Sequence, residues 1–235
     1  MAVPLSTLHP DTLEFDAAVL HVTDEGGVEL DQTYFYATSG GQPNDTGIIK
    51  RNDEEFKILD VRKKDGHVLH ILDRTGLESG DKVHCVIDEA RRAKLRRMHT
   101  ATHVLCAVLE KTDGAVVTGN QIGEERTRVD FKLDNFDVAR IPFYFEEANR
   151  IIASGAPVRR YVTTREELMK DPSLVKLAMG FPEDVTDVHM VEIEGYDLQP
   201  CGGTHADGLE GIGTLVFEKT ESKGKSNRRI SFTLS

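Results

Sequence analysis

Only three cysteines occur in 235 residues, at positions 85, 106 and 201. Odd in number and widely spread, they do not read as a disulfide framework, and a reducing cytosol is the compartment that suits them. Apolar runs long enough to span a membrane are also missing. The opening MAVPLSTLHP lacks the basic-then-apolar order of a secretory signal, so a cytoplasmic protein with no membrane partner is expected. Positive charge is in deficit: 29 Lys and Arg against 40 Asp and Glu leave a formal net charge of −11. That balance argues against a nonspecific nucleic-acid coat, and DNA is not an expected partner. It leaves room for a local basic patch, because phosphate contacts depend on where charges sit.

What is present is an ordinary globular composition, 39% hydrophobic and 29% charged, long enough for one large domain or two small ones. In the first 88 residues, LEFDAAVLHV, TYFYAT, TGIIKR and FKILDVR read as short strands bounded by turn residues. Asp65-Gly66 predicts a tight hairpin turn, and in KVHCVID the residues Val83, Cys85 and Ile87 fall on one face. Short strands at this spacing predict a small β-barrel over 1–88. At Asp88 the pattern changes to DEARRAKLRRMHTATHVLCAVLEK, a long helix with acidic residues first and Lys111 near its end. Beyond it, strand patterns (RTRVDFKLD, APVRRYVT, TDVHMVEIE, GTLVFEK, RRISFTL) mix with a helix at FYFEEANRIIAS and a capping box at Thr164–Glu167. The whole predicts an α+β fold, a barrel followed by a second domain over 89–235. ESKGKSNRR is expected to be a mobile basic loop.

Two phrases carry chemistry. In LRRMHTATH, His99 and His103 lie four apart, so one helix face can aim both imidazoles at a single ion. In QPCGGTH, Cys201 and His205 repeat that spacing in a Gly-rich loop able to fold back on it. Each pair alone is weak; together they make a three-imidazole, one-thiolate set that suits zinc. A zinc protease helix carries Glu after its first His, and here that position is Thr100, which argues against a protease. Cys106 lies seven residues beyond His99, about 10 Å along a helix, and is read as core packing, as is Cys85. Four protein ligands would close a tetrahedral ion, so three options stay open: a histidine leaves or never binds, the coordination expands, or the metal only orients the substrate.

Arg91, Arg92, Lys94, Arg96 and Arg97 crowd the helix before His99, and Arg92, Arg96 and Arg97 are candidate phosphate contacts. Arg159, Arg160, Lys223, Lys225, Arg228 and Arg229 are further candidates. In YFYATSGGQPNDTG, Gly40 and Gly41 let backbone approach a ligand closely, and Gln42 can both donate and accept.

In order, YFYATSGGQPNDTG, HTATH, VTGNQIG with RVDF behind it, and QPCGGTH resemble the AlaX family, free-standing relatives of the editing domain of alanyl-tRNA synthetase, in its medium-length form. The resemblance covers most of the chain. It implies an N-terminal barrel and an editing domain, with His99, His103, Cys201 and His205 as zinc ligands and catalytic centre. The implied activity is hydrolysis of the ester between a wrong amino acid and its tRNA, chiefly serine on alanine tRNA. Glycine on alanine tRNA and serine on threonine tRNA are alternatives. Gly40, Gly41, Gln42, Gly202 and Gly203 are candidate substrate contacts, and Thr118 and Gln121 are the candidates for a hydrogen bond to the seryl hydroxyl. Two rivals stand beside this reading: a non-catalytic zinc-stabilised RNA-binding module and a hydrolase of small esters.

Overall fold

The first unit spans Met1–Ala93 and the second Lys94–Ser235, in a computed structural model that describes residues 3–176, 186–224 and 226–235. The first contains β1 (Val3–Pro4), β2 (Glu14–Val22), β3 (Gly27–Leu30), β4 (Gln32–Thr33), β5 (Gly47–Arg51), β6 (Glu54–Lys64), β7 (His67–Leu72) and β8 (Lys82–Ile87). Six of these close into a barrel in the order β2-β3-β7-β6-β5-β8. Closure leaves no unpaired sheet edge, which suits short strands of this kind. Val83, Cys85 and Ile87 all point into the barrel core, as their alternation requires. Asp65 and Gly66, joining β6 to β7, both take positive φ, 51° and 82°, the geometry that selects this dipeptide.

TYFYAT is not a strand beyond Thr33. Phe35, Tyr36 and Ala37 are buried in succession, which an alternating strand cannot do. Side chains replace the missing ladder: Tyr36 N–H donates to Asp45 Oδ2 at 2.6 Å and Phe35 N–H to Thr33 Oγ1 at 3.1 Å. Opposite, His70 is wholly enclosed. Its Nδ1–H donates to Val28 O, and its Nε2 accepts from the Thr33 hydroxyl, each at 2.9 Å. Burial pushes its pKa down to about 4, against a weaker upward pull from the Val28 carbonyl, so the ring is neutral.

The second unit is built around α1 (Glu89–Asp113), whose first turn belongs to the first unit. The division therefore falls at 93/94, one turn inside the helix, rather than at 88/89. Arg91 and Arg92 explain the difference. Arg91 Nε donates to Asn44 O at 3.0 Å. Arg92 is 1% exposed, donates from Nε to Asp45 Oδ1 at 2.9 Å, pairs also with Asp45 Oδ2, and reaches Pro10 O and Tyr34 O. This corrects the expectation of a phosphate contact: an enclosed guanidinium committed to Asp45 and two carbonyls presents no face to an outside anion.

After α1 come β9 (Val116–Gln121), β10 (Thr127–Lys132), α2 (Ile141–Ile152), β11 (Val158–Thr164), α3 (Arg165–Leu168), β12 (Asp187–Ile193), β13 (Asp197–Pro200), β14 (Leu215–Ser222) and β15 (Asn227–Leu234). They form an antiparallel sheet, β14-β15-β10-β9, and a smaller one, β11-β12-β13. Helices α1 and α2 share one core with the inner faces of these sheets. From Met98 to Leu105 no residue of α1 is more than 6% exposed, so the helix is buried on every side there. Thr164 caps α3 by accepting from Glu167 N–H at 3.1 Å. The basic segment read as a mobile loop is mostly strand, since β14 runs to Ser222 and β15 starts at Asn227; Lys225 lies outside the described residues. Among the described residues no helix is long and apolar enough to cross a membrane.

Candidate metal centre

His99 and His103 stand one turn apart on the buried stretch of α1, and Cys201 and His205 follow β13 in the Gly-rich loop. The structure brings all four together, with one ligand atom from each lying within 4.8 Å of every other. Cys201 Sγ is 3.5 Å from His99 Nε2 and 3.3 Å from His205 Nε2. Around a tetrahedral zinc, bonds of about 2.0–2.3 Å put neighbouring ligands roughly 3.4–3.6 Å apart. The donor set and its spacing therefore fit a metal ion of that kind.

Two of the imidazoles are oriented by partners. His103 Nδ1–H donates to Asp197 Oδ2 at 3.0 Å, which leaves Nε2 free for an ion. Gln199 Nε2 donates to the same oxygen at 2.8 Å, and Lys176 Nζ donates to Asp197 Oδ1 at 2.7 Å and pairs with Glu110 at 2.9 Å. Thr100, noticed in the sequence only as the absence of a glutamate, has a structural role. Its hydroxyl donates to Arg96 O at 2.9 Å and accepts from Ala206 N–H at 3.1 Å. The remaining acceptor position faces His205 Nδ1 at 3.2 Å, fixing the proton there and turning Nε2 toward Cys201.

Electrostatics follow from this packing. Burial opposes ionisation of Asp197, but His103 and Lys176 outweigh it and hold the carboxyl well below the ordinary range. Desolvation likewise opposes a thiolate at Cys201, yet His99, His205 and His103 hold its pKa well below the usual thiol value. A thiolate is the form that ligates metal. Burial, with His99 beside it, pushes His205 down to about 3, so that imidazole is neutral.

Arg96 and Arg160 hold the loop by its backbone. Arg96 Nε donates to His205 O at 2.7 Å, Arg160 reaches His205 O and Ala206 O, and both pair with Asp207. Arg97 is exposed, Arg159 pairs with Glu192 and Glu194, and Arg228 bonds backbone oxygens of its own hairpin. Gly202 is exposed and Gly203 buried. In the first unit Gly40 and Gly41 take φ of 55° and 84° in a turn closed by Ser39 and Gln42, whose side chain is fully buried.

Thr118 and Gln121 are not brought to the inner face of their sheet. Gln121 pairs with Arg128, whose side chain alternates outward from buried Val129, and the Thr118 hydroxyl points to Asn227. Asn120 pairs with Val129 and so faces inward, with its Oδ1 buried and unpartnered among the described residues. A bulge at Thr118 sets this parity: Val117 pairs with Phe131 and Gly119 with Asp130.

The chain also matches known proteins. Residues 6–91 match the family of class II (A) tRNA synthetases, and 188–231 match the threonyl and alanyl tRNA synthetase second additional domain. An alanyl-tRNA editing protein, AlaX-M, of Methanosarcina barkeri is 46% identical over 228 residues, 94% of each chain. Its counterpart in Saccharolobus solfataricus is 36% identical over 225 residues, again 94% of each. An alanine–tRNA ligase of Methanothrix thermoacetophila is 34% identical over 229 residues, 95% of this chain but 24% of the ligase. At such identity over nearly its whole length, the chain belongs to the AlaX-M family of alanyl-tRNA editing proteins.

Proposed function

We propose that this protein is a trans-editing deacylase that hydrolyses serine from mischarged alanine tRNA, with zinc held by His99, His103, Cys201 and His205. The observation that carries the reading is the convergence of those four ligand atoms, with Asp197 and Thr100 orienting two of the imidazoles. Zinc held by these residues would supply Lewis-acid polarisation of the ester carbonyl, provided that one histidine leaves or the coordination expands to admit the oxygen. The chain's own part is to hold the Cys201 thiol well below its usual pKa and the His205 imidazole neutral, with Asp197 and Thr100 fixing the two ring orientations.

Seryl and alanyl groups differ by one hydroxyl, which a synthetase pocket rejects only weakly. A second site that requires the hydroxyl restores the discrimination. Asn120 is proposed for that requirement, because its buried side-chain oxygen has no partner among the described residues and would accept a hydroxyl proton that alanine lacks. The reading assigns Gly202 and Gly203 to the aminoacylated 3′ end and Arg97 to a phosphate, and keeps Gly40, Gly41 and Gln42 of the first unit as separately proposed substrate contacts. It puts the activity in a reducing cytoplasm, where Cys201 stays a thiolate.

The test is release of amino acid from Ser-tRNA(Ala), Gly-tRNA(Ala), Ser-tRNA(Thr) and a free seryl ester by zinc-loaded protein. Ser-tRNA(Ala) is expected to react fastest and the free ester hardly at all. Turnover of the free ester at an equal rate would make the protein a small-ester hydrolase. Binding of tRNA without turnover would make it a zinc-stabilised RNA-binding module.

A further inference from the structure

Most arginines of the second unit have bound partners; Arg128 stands apart. It lies mid-strand in β10, half-buried on the outer face of the four-stranded sheet, paired in register with Gln121 on one side and Ser231 on the other. With Lys219 and Arg229 these residues line a cavity of about 340 Å³. Arg128 Nε–H is buried there and has no hydrogen-bond acceptor. A buried donor on a permanent cation is costly to leave unmatched, so its presence calls for an acceptor from outside.

The neighbouring acids do not meet the need. Asp130 is held by Arg229, which donates to both its oxygens at 2.6 Å. Glu221 also lines the cavity but is paired with Lys219 at 3.4 Å, and Arg126 pairs with Glu218. Asp130 therefore acts on Arg128 only through space, and the Arg128 Nε–H keeps no acceptor, in a chain whose net charge is −11. What fits it is an oxyanion whose two charged oxygens a guanidinium fork can grip, in a cavity that the Lys219 ammonium and the Gln121 amide also line.

We propose that this cavity takes a backbone phosphodiester of the tRNA, held by Arg128 and Lys219, so that the substrate lies across the outer face of the β14-β15-β10-β9 sheet. The proposal rests on the editing reading above. It moves the phosphate contacts away from Arg92 and Arg96, whose guanidinium groups the fold uses internally.

The experiment follows tRNA(Ala) binding to the full-length, zinc-loaded protein by fluorescence anisotropy over a series of salt concentrations. Arg128→Ala is expected to weaken binding about tenfold at low salt and to make the log–log salt slope shallower by about one, with curves converging at high salt. Lys219→Ala should flatten the slope as well, whereas Arg128→Lys, which keeps the charge, should restore it. Melting temperatures near wild type verify that the outward-facing variants fold. Wild-type slope and affinity in folded Arg128→Ala would overturn the proposal and leave the editing reading standing. A loss confined to inorganic phosphate binding would make the cavity a free-anion site, which also overturns it. Failure of the wild type to bind tRNA would instead bring down the editing reading, and this proposal with it.

Discussion

Asp197→Asn isolates the charge behind the metal centre while keeping the shape of the side chain. The carboxylate is completely enclosed, 3.0 Å from His103 Nδ1 and 2.7 Å from Lys176 Nζ. Asparagine can still accept from His103 Nδ1–H, so the tautomer and ring position should survive. What disappears is the negative charge that makes His103 a stronger donor to a cation. Removing such a partner lowers metal affinity about 10- to 100-fold, which is roughly 1.4–2.7 kcal/mol. Folding should suffer less than the full cost of breaking a buried pair, about 3–5 kcal/mol, because Lys176 keeps Glu110 at 2.9 Å. Metal-free protein is titrated with zinc against a competing chromophoric chelator, and the dissociation constants of wild type and variant are compared, with chemical denaturation alongside. A zinc affinity within about twofold of wild type in a folded variant would refute the reasoning, since the carboxylate would then be a packing group and not a tuner of His103.

Thr100→Val leaves His205 Nδ1–H and Ala206 N–H without their acceptor, so zinc affinity should fall at least tenfold, whereas Thr100→Ser, which keeps the hydroxyl, should retain it; chelator competition decides. Arg92→Ala strands the enclosed Asp45 and should destabilise the first unit by about 3–5 kcal/mol in urea denaturation, with no change in the salt slope of tRNA binding. For His70 the folded pKa of about 4 lies below the ordinary 6.5, so its contribution is complete above pH 6.5 and is lost as pH falls toward 4. Between pH 7 and pH 4 the wild type should lose about 3 kcal/mol more stability than His70→Asn, and equal losses would show that burial does not hold the ring neutral.

The barrel strands and the pairing of histidines and cysteine that converge in one cluster were legible in the sequence because both are written in short-range patterns. Alternation over five or six residues fixes a strand's buried face, and a four-residue offset places two histidines on one helix face. The rest depends on what the fold brings from elsewhere. Asp197 reads as an ordinary turn acid until β13 lies beside α1, 94 positions away from His103. The arginine run looked like one basic face, yet Arg92 is enclosed and Arg96 grips a carbonyl of the CGGTH loop. Gln121 and Asn120 differ in which face they present, and the extra residue at Thr118 decides that parity, which alternation in the sequence does not reveal. TYFYAT misled for the opposite reason: its apolar run is buried on successive residues because Asp45 and Thr33 satisfy the backbone that a neighbouring strand would otherwise serve.

The most direct test of the account is single-turnover deacylation of Ser-tRNA(Ala) by one preparation assayed as purified, after removal of metal by a chelator, and after zinc is restored. Cys201→Ala is carried through the same steps. The account predicts a rate that falls at least a hundredfold on chelation and returns with about one zinc per chain, and a variant that zinc does not rescue. Deacylation that persists unchanged in the metal-free protein, or in Cys201→Ala, would contradict it.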